Sequence, residues 1–228
     1  MINPKERSKE TEILDEDDLP FEDVKICMKE LNSINTLLGG HKITLQGINH
    51  FYPQTDTQFT VCEIGSGGGD NLKAISNKFT KATFLGIDLK ESCIDFARQQ
   101  YTELNAEWIA SDYSKAQFAS KPEIIFSSLF CHHFNNEQLV AMLSWMKQNS
   151  QKGFFINDLQ RNTTAYYLIK WLTSVFSKSY MVKNDGPISV ARSFRKKDWQ
   201  LLFSKAGINN YNIKWKWAFR YLVVCKND

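Results

Sequence analysis

Three glycines and the acidic residues beside them carry the clearest chemistry in this chain. Val61–Ile64 is a short apolar run, and Gly65, Gly67 and Gly69 follow it directly, before a helical pattern begins. Glycine lets the backbone adopt positive φ and lets a ligand approach without meeting a Cβ. The order strand, glycine turn, helix is typical of the nucleotide-binding corner of a doubly wound α/β sheet. A dinucleotide site has Gly-x-Gly-x-x-Gly, and here Asp70 stands in the place of the last glycine.

Three further strand patterns end in residues suited to holding a nucleoside. Thr83–Asp88 ends in an acid, which at that place can accept hydrogen bonds from both ribose hydroxyls. A helix N-cap is the alternative role for Asp88. Trp108–Tyr113 ends in Asp-Tyr, and Glu123–Phe130 is nearly all apolar, as expected of a central parallel strand covered on both faces. Four strand ends in this order predict a nucleoside site at one edge of a parallel sheet.

The run from Glu63 to Gly69 has the pattern E-x-G-x-G-x-G and resembles the first motif of the class I S-adenosylmethionine-dependent methyltransferases. The resemblance covers about residues 59–226. It implies S-adenosyl-L-methionine as the cofactor and S-adenosyl-L-homocysteine as its product. The cofactor-binding residues that it implies are Glu63, Gly65, Ser66, Gly67, Gly69, Asp70, Asp88, Leu89, Asp112, Tyr113 and Leu129.

The resemblance also implies which part of the cofactor each of these residues binds. Glu63 or Asp70 would take the ammonium group of the cofactor, and Asp88 would bind its ribose. Asp112 and Tyr113 would frame the adenine, although Tyr113 is equally explained as a surface aromatic residue in a loop.

Two adjacent histidines follow the fourth strand and are candidates for the catalytic base. Ligands of open α/β sheets lie outside the carboxyl ends of the strands, so His132 or His133 emerges beside the expected methyl group. A histidine with a pKa near ~6.5 can take the proton of a phenol at neutral pH. We favour His133 slightly, while a plain turn role stays open for either residue. We predict no metal site, because His41 and His50 are the only other histidines and no metal motif is present.

The segments after the fourth and fifth strands resemble those of methyltransferases that act on small aromatic, quinone-like or polyketide-derived molecules. This resemblance implies acceptor contacts from Phe130, Arg161, Tyr166, Tyr167 and Arg192. Arg161 and Arg192 could each bind an acidic or phenolate group, or could form structural salt bridges. The acceptor atom is expected to be a hydroxyl oxygen. Methylation of a ring carbon, modification of a macromolecule and a non-catalytic cofactor-binding subunit are the alternatives.

The alternation of strands and helices predicts the fold that positions these residues. We expect an α/β, Rossmann-like, doubly wound sheet of seven mostly parallel strands, with a C-terminal antiparallel hairpin and a small helical cap. Residues 1–20 are expected to be a flexible tail, 21–58 a helical lid segment, and 59–228 the cofactor-binding domain with a cap insertion at about 159–194. For the helix that begins at Phe21, packing as an ordinary core helix is an equally open alternative to the lid role. Within the cap, Thr163–Phe176 is apolar almost all round and is predicted to be a helix that is either buried or covered by something else. Asn184–Pro187 is predicted to be a turn, and Ser193 to cap a last helix that runs through Ala206.

Composition limits the remaining possibilities. The net charge is +3 over 228 residues, so the chain offers no argument for a nucleic-acid partner. Five scattered cysteines without C-x-x-C spacing favour a reducing compartment. The first twenty residues lack an apolar signal region, and no apolar run approaches the ~20 residues of a membrane helix. We therefore expect a cytoplasmic protein with a small-molecule acceptor and no membrane span, either a monomer or a homodimer.

Overall fold

The computed structural model describes residues 2–16 and 18–227, and its centre is one mixed sheet. Met1 and Asp17, in the predicted tail, and Asp228, in the predicted domain, lie outside the described residues. The strands are β1 (Thr60–Ile64), β2 (Thr83–Asp88), β3 (Ala106–Ala110), β4 (Ile124–Ser128), β5 (Gly153–Leu159), β6 (Tyr211–Lys216) and β7 (Arg220–Lys226). Their order is β3-β2-β1-β4-β5-β7-β6. The first five pair in parallel, and β7 lies antiparallel between β5 and β6. The predicted fold class is confirmed.

Helices cover both faces of this sheet. They are α1 (Phe21–Leu37), α2 (Gly40–Asn49), α3 (Asp70–Ser76), α4 (Glu91–Gln100), α5 (Asn136–Asn149), α6 (Thr163–Phe176), α7 (Tyr180–Arg192) and α8 (Lys196–Lys205). One core lies between the sheet and the helices α5 and α8, with Trp199 and Phe203 among its buried side chains. A second core joins the sheet to α2 and α3, and a third lies between α1, α4 and α7. Burial on both faces explains why β4 is apolar along most of its length. Among the described residues, no helix has the length and apolar character that crossing a membrane would require.

The cap differs from its prediction around Asn184–Pro187. This segment lies inside helix α7 and is not a turn, although Pro187 is within the helix. The Ser179 hydroxyl oxygen accepts a hydrogen bond from Val182 N at 3.3 Å and so begins the helix. Burial of apolar side chains, including Met181 and Val190, outweighs the local turn preference.

The start of the last helix also differs. Ser193 does not cap it, because the Ser193 hydroxyl donates to Val190 O at 2.7 Å. Helix α8 instead begins after Arg195, whose backbone N donates to the Asp198 carboxylate at 2.7 Å. The Asp198 carboxylate, in the first turn of the helix, thus accepts from a backbone N–H that has no partner within the helix.

Helix α6 is present as predicted but is not buried. On the inner face, Ile169 and Leu172 border a cavity. On the outer face, Trp171 and Val175 are exposed to solvent. The difference arises because α6 forms the outermost layer of the cap, with α7 beneath it.

Several of the described N-terminal residues contact the rest of the chain, although the segment was expected to be a flexible tail. Arg7 donates hydrogen bonds to the backbone oxygens of His132 and Phe134 at 3.1 and 2.8 Å. The backbone N–H groups of Ile13 and Leu14 donate to the Asp185 carboxylate at 2.8 and 3.0 Å. We call residues 5–16 the N-terminal strap. The charged groups of Arg7, Glu12 and Asp15 find partners in the fold, beside the histidines that follow β4.

Candidate active site

The glycine turn is held against the end of β2. Gly65, Gly67 and Gly69 all have positive φ, of 68°, 50° and 82°. Gly67 N donates to the Asp88 carboxylate at 2.8 Å, and Ser66 N donates to Ile87 O at 3.0 Å. A Cβ on Gly65 would lie 2.2 Å from the Phe130 ring, so glycine is required there by contact as well as by conformation.

Asp88 is anchored between two segments of backbone. Its second carboxylate oxygen accepts from Lys90 N at 3.0 Å. Burial raises the pKa of Asp88, and the two backbone hydrogen bonds oppose that rise. The residue that precedes α4 is Lys90, so the N-cap alternative for Asp88 does not hold. Asp88 lines a cleft of about 600 Å³ at the carboxyl ends of the strands.

Glu63 is a buried carboxyl group with one oxygen unused. Its Oε1 accepts from Asn71 Nδ2 at 2.8 Å, while Oε2 has no hydrogen-bond partner in the described part of the chain. Burial raises the pKa of Glu63 well above its ordinary value. Asp70, nearby in the same cleft, accepts from the Tyr101 hydroxyl at 2.6 Å. The sequence had not singled out Asn71 or Tyr101, because their roles depend on how α3 and α4 pack.

Most of the predicted cofactor residues meet in this cleft. Those that line it are Glu63, Gly65, Ser66, Gly67, Asp70, Asp88, Leu89 and Leu129. Gly69, Asp112 and Tyr113 are not among its lining residues. Asp112 accepts from Ser114 N and the Ser114 hydroxyl, both at 2.9 Å. The Tyr113 ring packs against Phe134 and Trp145, with centroid distances of 6.1 and 5.2 Å.

A second cavity, of about 190 Å³, adjoins the cleft. Its walls come from α1, α6, α7, the N-terminal strap and the turn between β6 and β7, and they are mostly apolar. Leu14, Leu31, Leu129 and His133 line both the cavity and the cleft. We call this shared wall the junction. A ligand in the cleft and a ligand in the cavity would therefore meet beside His133.

The two histidines share one carboxylate from the strap. His132 Nδ1 lies 2.7 Å from Asp158 Oδ1, and His133 Nδ1 lies 2.7 Å from Asp15 Oδ1. Their Nε2 atoms face Glu12 at 3.6 and 3.8 Å. His132 is 3% exposed and does not line the cleft, whereas His133 reaches the junction.

The pKa values of the carboxylates in this group shift in different directions. Burial raises the pKa of Glu12 to about 7, although His133 and Arg192 act against it. Burial also acts to raise the pKa of Asp158, but the charge and hydrogen bond of His132 keep it below its ordinary value. For Asp15, hydrogen bonds and charges from His133 and Arg192 outweigh burial and hold the pKa well below the usual range.

Glu12, His132 and His133 are residue types that bind metals, and their ligand atoms lie within 4.8 Å of one another. A cationic group already lies beside them, since Arg192 Nη1 is 3.8 Å from Glu12 Oε1 and 2.8 Å from Asp15 Oδ2. We therefore interpret the group as a buried ion-pair network that fixes the strap.

The predicted acceptor residues have mixed outcomes. Phe130 lines the cleft, but Tyr166 and Tyr167 do not line the cavity. Arg161 donates to Ser193 O at 2.5 Å and pairs with Asp198 at 2.9 Å. Arg192 donates to the backbone oxygens of His132 and His133 at 3.1 and 2.7 Å. Both arginines therefore make structural hydrogen bonds and ion pairs, which was the alternative to contact with the acceptor.

Sequence reasoning missed a third arginine, which does line the cavity. Arg220 opens β7 and is 2% exposed. Its Nη2 donates to Asn35 Oδ1 at 2.9 Å, while Nε and Nη1 have no partner in residues 2–16 and 18–227. One signal was available, because a lone arginine followed by the apolar run Tyr221–Cys225 is unusual in a central strand.

Comparisons with known proteins agree with this geometry. A family model described as a methyltransferase domain matches residues 61–153. A malonyl-[acyl-carrier protein] O-methyltransferase of Acetivibrio thermocellus is 24% identical over 80 residues, which are 35% of this chain and 28% of that protein. The match thus spans less than a third of that relative.

Solved methyltransferase structures share the fold over most of the chain. A SAM-dependent methyltransferase from Aquifex aeolicus superposes with a TM-score of 0.63 at 16% identity, covering 92% of this chain and 99% of that one. The plantazolicin methyltransferase BpumL, solved with a monoazolic desmethylPZN analogue and SAH, superposes with a TM-score of 0.69 at 17% identity and covers 90% of each chain. At these identities the shared property is the fold.

The order of the strands, the glycine turn and the matched family model point in the same direction. Residues 61–153 match a methyltransferase domain, and the chain shares its fold with solved S-adenosylmethionine-dependent methyltransferases. S-adenosyl-L-methionine is the methyl donor that such methyltransferases use.

Proposed function

We propose that this chain transfers the methyl group of S-adenosyl-L-methionine to a hydroxyl of a small, largely apolar molecule. One observation carries the proposal: a polar cleft with the glycine turn and an apolar cavity share a wall that contains His133. Methyl transfer is an in-line displacement, so donor and acceptor must approach from opposite sides of one methyl group. Small-molecule sites are mostly apolar with a few placed polar groups, as this cavity is.

The residues of the cleft fit the donor. Asp88 is proposed to hold the ribose, and the unused Oε2 of Glu63, or Asp70, to take the ammonium group. Leu89, which is 72% exposed and lines the cleft, would lie against the adenine. When bound, the donor supplies a methyl group on a sulfonium that is itself a good leaving group. The chain must then provide alignment and remove the proton of the acceptor.

His133 is the base in this proposal. Asp15 accepts the Nδ1 hydrogen, so the lone pair that would take a proton from the acceptor lies on Nε2, which faces Glu12 at 3.8 Å. His132 has the same type of partner in Asp158, but it is 3% exposed and lines the cavity without lining the cleft. The strap and α1, which contribute Leu14 and Leu31 to the junction, would cover the reacting groups and exclude water.

Calorimetry and a transfer assay test the proposal together. We expect the protein to bind S-adenosyl-L-homocysteine and not NAD. With ¹³C-methyl-labelled donor and alkylphenols such as 4-butylphenol, we expect a methoxy product, which NMR separates from a ring methyl. Binding of NAD without a response to either sulfur nucleoside would contradict the cofactor assignment. A ring-methyl product would contradict the assignment of oxygen as the acceptor atom.

A further inference from the structure

A mostly apolar cavity contains a cation that the described chain does not neutralise. Arg220 is fixed by its place in β7, where it pairs with Leu159 across the sheet. Among the described residues, Nε and Nη1 of its guanidinium have no partners, and Nη2 donates to the neutral amide of Asn35. Burial lowers the pKa of Arg220 to about 10, so the group stays charged at neutral pH.

The acidic residues near this arginine are engaged elsewhere. Asp158 raises the pKa of Arg220 through its charge, but its carboxylate is bonded to His132 and to Leu159 N, both at 2.7 Å. Asp185 and Glu12, which line the same cavity, bind the strap backbone and face the histidines. Leaving a buried charge uncompensated costs several kcal/mol, so its retention indicates a partner that arrives from outside the chain.

We propose that Arg220 binds a carboxylate of the acceptor, so that the methyl acceptor is an apolar hydroxy acid. The planar fork of a guanidinium matches a carboxylate, and one cation calls for one negative charge. Arg220 lines the cavity but not the cleft, whereas His133 lines both. The hydroxyl therefore sits at the junction and the carboxylate is held away from the donor. This inference rests on the proposed function and names the class of its acceptor.

A matched pair of probes tests the charge preference directly. 4-Butylbenzoate and 4-butylbenzamide have the same shape and differ in charge, and calorimetry gives the affinity of each for the S-adenosyl-L-homocysteine-loaded protein. We expect the unaltered protein to bind the carboxylate at least tenfold more tightly. Arg220→Met should remove that preference while the amide affinity changes less than threefold. Arg98→Met, which removes an exposed arginine paired with Asp95, should preserve the preference.

The result that overturns the inference is equally specific. It fails if the unaltered protein does not distinguish the two probes, or if Arg220→Met still prefers the carboxylate. Should Arg220→Met not fold, Arg220→Lys keeps the charge without the fork, and a preference reduced to less than threefold supports the inference while an unchanged preference overturns it. Because these readouts are binding affinities, they can fail while methyl transfer to a neutral alkylphenol persists. Absence of transfer to every hydroxyl acceptor would instead count against the proposed function.

Discussion

Nδ1 of His133 lies 2.7 Å from a carboxylate oxygen of Asp15, a residue 118 positions earlier in the chain. Arg192 Nη1 donates to the other oxygen of the same carboxylate at 2.8 Å. The strap thus contributes the Asp15 carboxylate, which orients the imidazole ring of the proposed base, His133. Catalysis is therefore expected to depend on the strap being ordered near the junction.

Removing the proposed base should lower turnover with little effect on cofactor affinity. We expect His133→Ala to reduce kcat by ~10²–10⁴-fold, the usual contribution of a positioned base. Asp15→Ala should cost less, because it only loosens the orientation of the ring. His50→Ala, outside both cavities, is the control and should leave kcat unchanged. A loss below tenfold in His133→Ala would show that alignment alone drives the transfer.

Glu12 should make the free energy of unfolding decrease as pH rises, because its pKa is raised in the folded protein. Its pKa is raised from 4.5 to about 7, so the folded protein binds this proton more tightly than the unfolded chain does. The resulting stability is fully present below about pH 4.5 and is lost as pH rises towards 7. Between pH 5 and pH 8, the free energy of unfolding should therefore fall by ~2–4 kcal/mol more in the unaltered protein than in Glu12→Gln.

Denaturant unfolding of Glu12→Gln at both pH values measures this difference. Glu10→Gln, an exposed change in the same strap, is the matched control and should follow the unaltered protein. Equal pH dependence in Glu12→Gln and the unaltered protein would contradict the burial argument.

Asp88→Asn should weaken the binding of S-adenosyl-L-homocysteine by roughly 1–3 kcal/mol, because an amide is a poorer acceptor for ribose hydroxyls than a carboxylate. The same change weakens the bonds from Gly67 N and Lys90 N, which support the turn. Calorimetric titration checks the affinity, with Asp95→Asn on α4 as the control. An unchanged dissociation constant would remove Asp88 from the cofactor site.

Two alanine substitutions in one turn should behave differently. Gly65→Ala places a methyl group 2.2 Å from the Phe130 ring at φ 68°, so we expect the protein to lose more than ~2 kcal/mol of stability. Gly67→Ala meets nothing within 4 Å and should cost only the left-handed backbone penalty of ~1–2 kcal/mol. Because Gly67 lines the cleft, the methyl group added in Gly67→Ala should lower the free energy of cofactor binding by more than it lowers the free energy of unfolding. Similar denaturation midpoints for the two variants would contradict this distinction.

The parts of the site that sequence reasoning identified are local ones. The glycine turn and Asp88 lie where strands end, and strand ends are visible in the pattern of apolar residues. Glu12 and Arg220 could not be assigned in this way. The position of Glu12 depends on a charged strap that folds back onto residues more than a hundred positions away, and that of Arg220 on the insertion of β7 beside β5.

The same reasoning explains where the structure differs from what the sequence favoured. The sequence left an acceptor contact and a structural salt bridge open for Arg161 and Arg192, and backbone carbonyls and carboxylates contact their guanidinium groups in the structure. Asn184–Pro187 has strong turn residues, but packing of α7 outweighs them. In each case a long-range contact, which one sequence does not display, determines the outcome.

Because β7 lies between β5 and β6, the sheet can be completed only after the last strand has been synthesised. The outer edge of β5 keeps its backbone hydrogen-bonding groups open until α6, α7, α8 and β6 have all been made. A ribosome-bound chain that stops short of β7 therefore exposes an unpaired edge, which can recruit strands from neighbouring nascent chains. Arg220 is the first residue of β7, so the proposed acceptor cavity gains its cation only when β7 pairs with β5 and completes the sheet.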